Sequence, residues 1–335
     1  MPRRWRVALA GYYGFSNLGD ELLLRASIEA LERAGVGREE IVVLSNDPEG
    51  TSRDRGVASV SRWSLREVLV ALTKSRTLLL GGGGLFQDST SLRSCLWYWG
   101  LVRLARLCGA RPWALGQSIG PLRSPVARWS TRDALRSCRP LHVRDAPSMA
   151  WAERLGLRAT HGEDLALTLE TPSREDRPRE DRPTLLINVR PHADAGRFVE
   201  VIAPHVAAHA RHGEAVGVAL SPEDEALLAG LREEGSLALS RVVRPTNMDD
   251  AAALWGGASR AVGMRLHFAV LSALFDVPLA VSPYDPKVSA FAARVGAPCI
   301  SDRWIEPRRP VLPATSDAIR QTVDAVCRRA LAEGP

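Results

Sequence analysis

Short apolar runs and amphipathic stretches alternate along the chain, and that alternation predicts the fold. In the first half, runs at 7–10, 41–44, 77–80, 113–115 and 141–143 are each followed by glycine or a helix-capping residue, then by amphipathic sequence. This is the pattern of a parallel sheet wound with helices. The second half repeats it with runs at 185–189, 216–220, 237–243, 260–263, 279–282 and 299–301. Two α/β domains are predicted, over 1–172 and 184–312. Between them the segment 173–183 is charged, rich in proline and free of apolar side chains, so it can neither enter a core nor sustain a helix and reads as a linker. The tail, 313–335, predicts a helix over 315–331 capped by Thr315 or Ser316, of a kind that can cross back onto the first domain.

Length and composition narrow the class. With 335 residues, 45% of them hydrophobic, the chain can build two ordinary cores and lacks the composition of a disordered or fibrous protein. No stretch approaches the ~20 apolar residues that span a bilayer, and residues 1–10 are too short for a signal peptide, so a cytoplasmic enzyme is expected. Five cysteines without a CxxC pair argue against a disulfide framework or a zinc knuckle. The net charge of +6 comes from arginines spread along the chain, with no basic block interleaved with aromatics. That excludes a nucleic-acid reader and leaves anionic substrates or an anionic membrane face as partners.

Three glycine-bearing segments fall at strand ends of the first domain. Gly11-Tyr-Tyr-Gly-Phe-Ser-Asn-Leu-Gly-Asp-Glu21 follows the first run, and its glycines either cradle a ligand or merely permit a strand-to-helix turn with Asp20 as N-cap. It is neither a Walker loop nor a strict GxGxxG. Gly81 to Gly84 precede Leu85, Phe86, Gln87 and Asp88, and Gly116-Gln-Ser-Ile-Gly-Pro121 repeats the pattern at the next strand. All three turns are expected to line one wall of a cleft, with Asn17, Asp20, Gln87 and Asp88 facing it.

Cations gather at other strand ends. Arg144 follows the run 141–143 and precedes Asp145, a helix cap. Arg265 and His267 begin a helix after 260–263, and Asp285-Pro286-Lys287 begins the next. A helix N-terminus carries partial positive charge, so a cation placed there is costly unless an anion lies nearby. Each residue alone has an ordinary alternative: Arg144 pairing with Asp145 or Asp164, Lys287 as a solvated lysine, His267 as a satisfied helix-start histidine. Together they point to an anionic ligand. His205, His209 and His212 share a helical face without a carboxylate motif and read as surface. The nine tryptophans read as core, although one facing a cleft would stack on a sugar ring.

The segments GYYGFSNLGDE, GGGGLFQDSTS, GQSIGP, VRD, MRLH and YDPKV, in this order from Gly11 to Val288, resemble the bacterial polysaccharide pyruvyl transferases of the CsaB type. The resemblance implies two Rossmann-like domains in a GT-B-like architecture with an interdomain cleft. It also implies transfer of the enolpyruvyl group of phosphoenolpyruvate to a sugar of a cell-wall polysaccharide precursor. That sugar is commonly an N-acetylmannosamine residue, and the products are a 4,6-linked pyruvate ketal and phosphate. On this resemblance Arg144, Arg265 and Lys287 bind phosphoenolpyruvate, with Arg265 and Lys287 also stabilising the leaving phosphate. His267 moves the proton, and Asn17, Asp20, Gln87 and Asp88 hold the acceptor. No cofactor or metal is expected. The acceptor is expected to be lipid-linked, which would bring the enzyme to the cytoplasmic membrane face. Ser118 departs from the usual glycine of GQGxGP, and the second domain is rather short. The rival readings are a GT-B glycosyltransferase using a nucleotide sugar and a non-catalytic sugar- or phosphate-binding protein.

Overall fold

The computed structural model describes residues 3–89, 91–172 and 182–332. Of the linker expected over 173–183, all but Arg182 and Pro183 lies outside the described residues. The chain forms two compact units, 1–15 with 20–168 and 316–335, and 16–19 with 169–315.

The first unit runs β1 (Trp5–Ala10), α1 (Leu18–Arg33), β2 (Ile41–Ser45), α2 (Pro48–Arg55), β3 (Ala58–Ser61), α3 (Leu65–Thr73), β4 (Ser75–Leu80), β5 (Gly83–Phe86), α4 (Leu92–Leu107), β6 (Arg111–Ile119), α5 (Pro125–Leu135), β7 (Leu141–Val143), α6 (Ala146–Arg154) and β8 (Thr160–His161). Its sheet is ordered β3-β2-β1-β4-β6-β7-β8, with β5 paired to β6. The second unit runs β9 (Thr184–Asn188), α7 (Ala195–Ala210), β10 (Glu214–Val218), α8 (Pro222–Glu233), β11 (Arg241–Val243), α9 (Met248–Gly256), β12 (Ala258–Gly263), α10 (Leu266–Leu274), β13 (Leu279–Val281) and α11 (Pro286–Val295), with sheet order β11-β10-β9-β12-β13. Among the described residues every pairing between these strands is parallel.

The elements follow from local chemistry. Leu78, Leu79 and Leu80 in β4 and Val42, Val43 and Leu44 in β2 are wholly buried on both faces, as central strands of a helix-covered parallel sheet require. The following helices start where a short polar side chain accepts a backbone N–H: Asp47 for α2, Ser64 for α3, Asp145 for α6, Ser221 for α8 and Asp285 for α11. A final helix, α12 (Ser316–Ala332), belongs to the first unit. There Arg33 pairs with Asp324 at 3.0 Å, Arg320 donates to the Thr168 carbonyl at 2.6 Å, and Arg111 donates to the Ala330 carbonyl at 2.8 Å.

Three local expectations change. The glycine segments at 81–84 and 116–121 are not simple turns, because β5 begins at Gly83 and β6 continues through Ile119, pairing Gly83 with Gln117 and Phe86 with Ile119. Gly83, at φ +126°, makes the backbone change that lets β5 continue beside β6 after β4 has left it. Helix α1 starts two residues before Asp20, and Asn17 takes the capping role by accepting from the Gly19 N–H at 3.1 Å. The run at 299–301 contributes only an isolated bridge, Val281 to Cys299, while 237–240 precede β11 rather than forming part of it.

Candidate active site

In the second unit the strand order reverses between β9 and β12, and open α/β sheets bind ligands outside the carboxyl ends of strands at such a reversal. Arg190 follows β9 there, and the segment Met264-Arg265-Leu266-His267 follows β12. Arg265 is the N-cap residue of α10. Its backbone N–H donates to Asn188 Oδ1 at 2.9 Å, and its guanidinium makes a fork on Asp224, with Nε to Oδ2 at 2.7 Å and Nη2 to Oδ1 at 2.6 Å. Nη2 also reaches Ser221 Oγ at 2.9 Å. Asp224 and Asn188 are completely buried, and Asn188 is itself held by its amide donating to the Val218 carbonyl at 2.8 Å. A planar guanidinium fixed on two edges by buried groups has its orientation set before any ligand arrives.

His267 lies one residue into α10, and a Cβ on Gly19 would collide with its imidazole. Only glycine lets the 16–19 segment pass this close. The same segment is tied down by the Leu18 N–H, which donates to the Leu220 carbonyl at 2.9 Å. Gly19 and His267 are thereby brought together within the second unit, with Leu18 tied to the residue before Ser221. Lys287 sits in the first turn of α11, its Nζ 3.3 Å from Asp285 Oδ2, while Asp285 caps the helix through the Lys287 N–H at 3.0 Å. Arg190 donates from Nη1 to Tyr284 Oη at 3.0 Å and lies 5.5 Å from the centre of that ring. Its Nε is buried without a hydrogen-bond partner. Burial pushes the Tyr284 hydroxyl up, opposed by the Arg190 charge. The Ser221 hydrogen bond pulls Glu223 below its ordinary value, helped by its own backbone N–H and by the charges of Arg265 and Arg190.

A model of the family described as polysaccharide pyruvyl transferase matches residues 17–286. The chain belongs to that family. No curated protein sequence matches it. Among solved structures, it is similar to Anabaena HepE in complex with UDP-glucose, at 12% identity and a TM-score of 0.58 over 98% of this chain and 93% of that one. It is also similar to UDP-GlcNAc 2-epimerase from Methanocaldococcus jannaschii, at 12% identity and 0.57 over 98% and 93%. Sucrose-phosphate synthase from Thermosynechococcus elongatus matches at 14% identity and 0.55 over 98% and 92%. At these identities the likeness concerns the fold alone, two Rossmann-like α/β units of GT-B type.

The remaining predicted residues of this pyruvyl transferase family member lie in its first unit and are engaged there. Arg144 is 6% exposed, with Nη1 2.7 Å from Asp164 Oδ2 and Nε 3.7 Å from Asp145 Oδ2. The ordinary pairing considered for it from sequence is thus present. Ser118 donates to Asp145 Oδ2 at 2.7 Å, so the serine that replaces the usual glycine joins the cap of α6. Asp88 accepts the Arg123 and Ser124 N–H groups at 2.8 and 2.7 Å, shaping the turn before α5. Gln87 Oε1 accepts from the Ser89 N–H at 2.9 Å. Asp20 occupies the first turn of α1.

Sequence reasoning missed Arg190, Asn188 and Asp224. Arg190 carried the same signal as Arg144, an arginine directly after a buried strand. Asn188 is the one polar residue ending the apolar β9. Asp224 gave no local sign, since Ser221-Pro-Glu-Asp224 reads as an ordinary helix start. Among the described residues no three His, Cys, Asp or Glu side chains gather as a metal site, and no helix is long and apolar enough to cross a membrane.

Proposed function

We propose that the protein transfers the enolpyruvyl group of phosphoenolpyruvate to a sugar of a cell-wall polysaccharide precursor, as a CsaB-type enzyme. The acceptor is an N-acetylmannosamine residue, and the products are a 4,6-pyruvate ketal and phosphate. The observation that carries this reading is the Arg265 guanidinium fixed on Asp224 at the strand-order reversal, with Arg190, His267 and Lys287 on neighbouring strand ends. Phosphoenolpyruvate presents a carboxylate and a phosphate, about three negative charges near neutral pH, and guanidinium forks, an ammonium and the starts of α10 and α11 suit both groups.

One sugar hydroxyl adds to C2 while C3 gains a proton, and a second hydroxyl displaces the phosphate from C2. Two C–O bonds form, one breaks, and the second hydroxyl proton leaves with the phosphate. His267 accepts the first hydroxyl proton and returns it to C3, a task suited to imidazole. Arg265 and Lys287 hold the departing phosphate. Arg144, committed to Asp164, orders the end of β7 and α6. Asn17, two residues before the glycine that meets His267, contacts the acceptor, with Asp20 and Gln87 as further contacts. The acceptor is a lipid-linked intermediate met at the cytoplasmic membrane face, and the chemistry uses no metal or cofactor.

Incubation with phosphoenolpyruvate and a β-linked N-acetylmannosamine glycoside should release phosphate and raise the glycoside mass by one pyruvate ketal. Neither product with any of several acceptors would refute the transferase. The similar fold of HepE in complex with UDP-glucose defines the competing reading. If UDP raises the melting temperature and phosphoenolpyruvate does not, a nucleotide-sugar enzyme is the better description.

A further inference from the structure

The first unit carries an aromatic platform that the proposed chemistry does not use. Tyr12 and Phe15, in the loop after β1, stack with ring centres 4.0 Å apart and planes 7° from parallel. Trp63, just after β3, meets Phe15 edge-on at 6.5 Å and 89°. Tyr12 is 43% exposed and Trp63 62%, an unusual placement for rings that a core would readily take. Both loops leave carboxyl ends of strands, the edge where α/β sheets bind ligands.

The platform is held rigid from beneath. Arg62 is 6% exposed and makes no ion pair among the described residues. Its guanidinium lies 4.1 Å from the Trp97 ring centre and 5.2 Å from those of Phe15 and Trp63. Nη1 donates to the Gly11 carbonyl at 2.9 Å, while Nε is buried with no hydrogen-bond partner. A buried cation without a carboxylate is costly, and cation–π contacts offset part of that cost. The indole N–H of Trp63 donates to Asn46 Oδ1 at 2.8 Å, and the Asn46 amide donates to the Gly14 carbonyl at 3.1 Å. The loop and the tryptophan are thus locked to each other through one side chain, so little rotamer freedom remains to be lost on binding.

We propose that Tyr12 and Trp63 stack on pyranose rings of the acceptor glycan, placing it at the carboxyl edge of the first sheet. A pyranose has a C–H face that matches an aromatic ring and a rim of hydroxyls. This surface has the same character, with rings interrupted by the exposed Asn46 carboxamide rather than a continuous apolar strip. An acyl chain or a helix face would need the latter. The inference rests on the acceptor being a polysaccharide, as the family description states.

The test compares the full chain with Trp63→Ala, Tyr12→Ala and Trp63→Phe, each first shown by thermal melting to be folded. In pyruvyl transfer, both alanine variants should raise the acceptor KM about tenfold, equivalent to about 1.4 kcal/mol, with the phosphoenolpyruvate KM unchanged. Trp63→Phe should recover most of the loss. Saturation-transfer NMR with the glycoside and no phosphoenolpyruvate gives an independent reading: ring-proton signals should fall in the alanine variants. If no acceptor is pyruvylated yet those signals fall, the platform stands and the transferase reading fails. If transfer proceeds with unchanged acceptor KM in both alanine variants, the platform is refuted. Loss of vesicle binding with glycoside binding intact would equally overturn it, in favour of a lipid surface.

Discussion

Replacing Asp224 with alanine tests how the second-unit site is held. The carboxylate is completely buried and carries two charge-assisted hydrogen bonds from Arg265, at 2.6 and 2.7 Å, and one from the Leu220 N–H at 3.2 Å. Removing one partner of a buried pair costs about 3–5 kcal/mol. The Arg265 side chain is 16% exposed and regains some hydration, so the lower end, about 3 kcal/mol, applies. For a unit of this size that corresponds to a melting temperature lower by about 6–12 °C in calorimetry. The freed guanidinium should also lose its orientation, raising the phosphoenolpyruvate KM in a phosphate-release assay. Asp224→Asn retains the shape and should fall between wild type and alanine in both measurements. A melting shift under about 2 °C with an unaltered KM would show that Asp224 does not set the Arg265 geometry.

Other residues make separate predictions. Gly19→Ala should lower kcat on the order of a hundredfold by displacing His267, because the added methyl collides with its imidazole; unchanged kcat would separate His267 from the chemistry. Burial, reinforced by His161, pushes the His142 imidazole down to about 4, with Nδ1 accepting from the Gly116 N–H at 3.1 Å. An unfolded histidine titrates near 6.5, so between about 6.5 and 4 the unfolded chain binds a proton that the folded one refuses, and stability should fall by up to about 3 kcal/mol as pH falls through that window. His142→Gln should flatten the denaturant-derived stability profile there, and an unchanged slope would contradict the assignment. Asp88→Ala should cost about 2 kcal/mol in urea melts through the loss of two backbone N–H contacts near α5. A raised acceptor KM at unaltered stability would instead show that Asp88 contacts the acceptor.

How far the residues were legible depends on the range of the forces involved. The strands β2, β4, β7 and β9 show as apolar runs because each is buried on both faces, and helix starts show as Ser, Asp or Asn before an amphipathic stretch. Gly81 to Gly84 and Gly116 to Pro121 misled, since glycine signals a turn unless another strand lies alongside. Only the pairing of Gly83 with Gln117 turns the first into the start of β5. Asp20 looked like a cap because it precedes the apolar helix face, yet Asn17 reaches the open N–H group first.

Composition, strand–helix alternation and the ordered motifs determined the α/β class and the family, because both rest on local patterns that a chain carries in its own order. The tertiary structure decided which charges answer one another. Asp224 meets Arg265 across 41 positions, Tyr284 meets Arg190 across 94, and Asn46 locks Trp63 across 17. No local periodicity encodes such pairs. They form because parallel strands deliver their carboxyl ends to one edge of a sheet, where side chains distant in sequence share a few ångströms of poorly hydrated space.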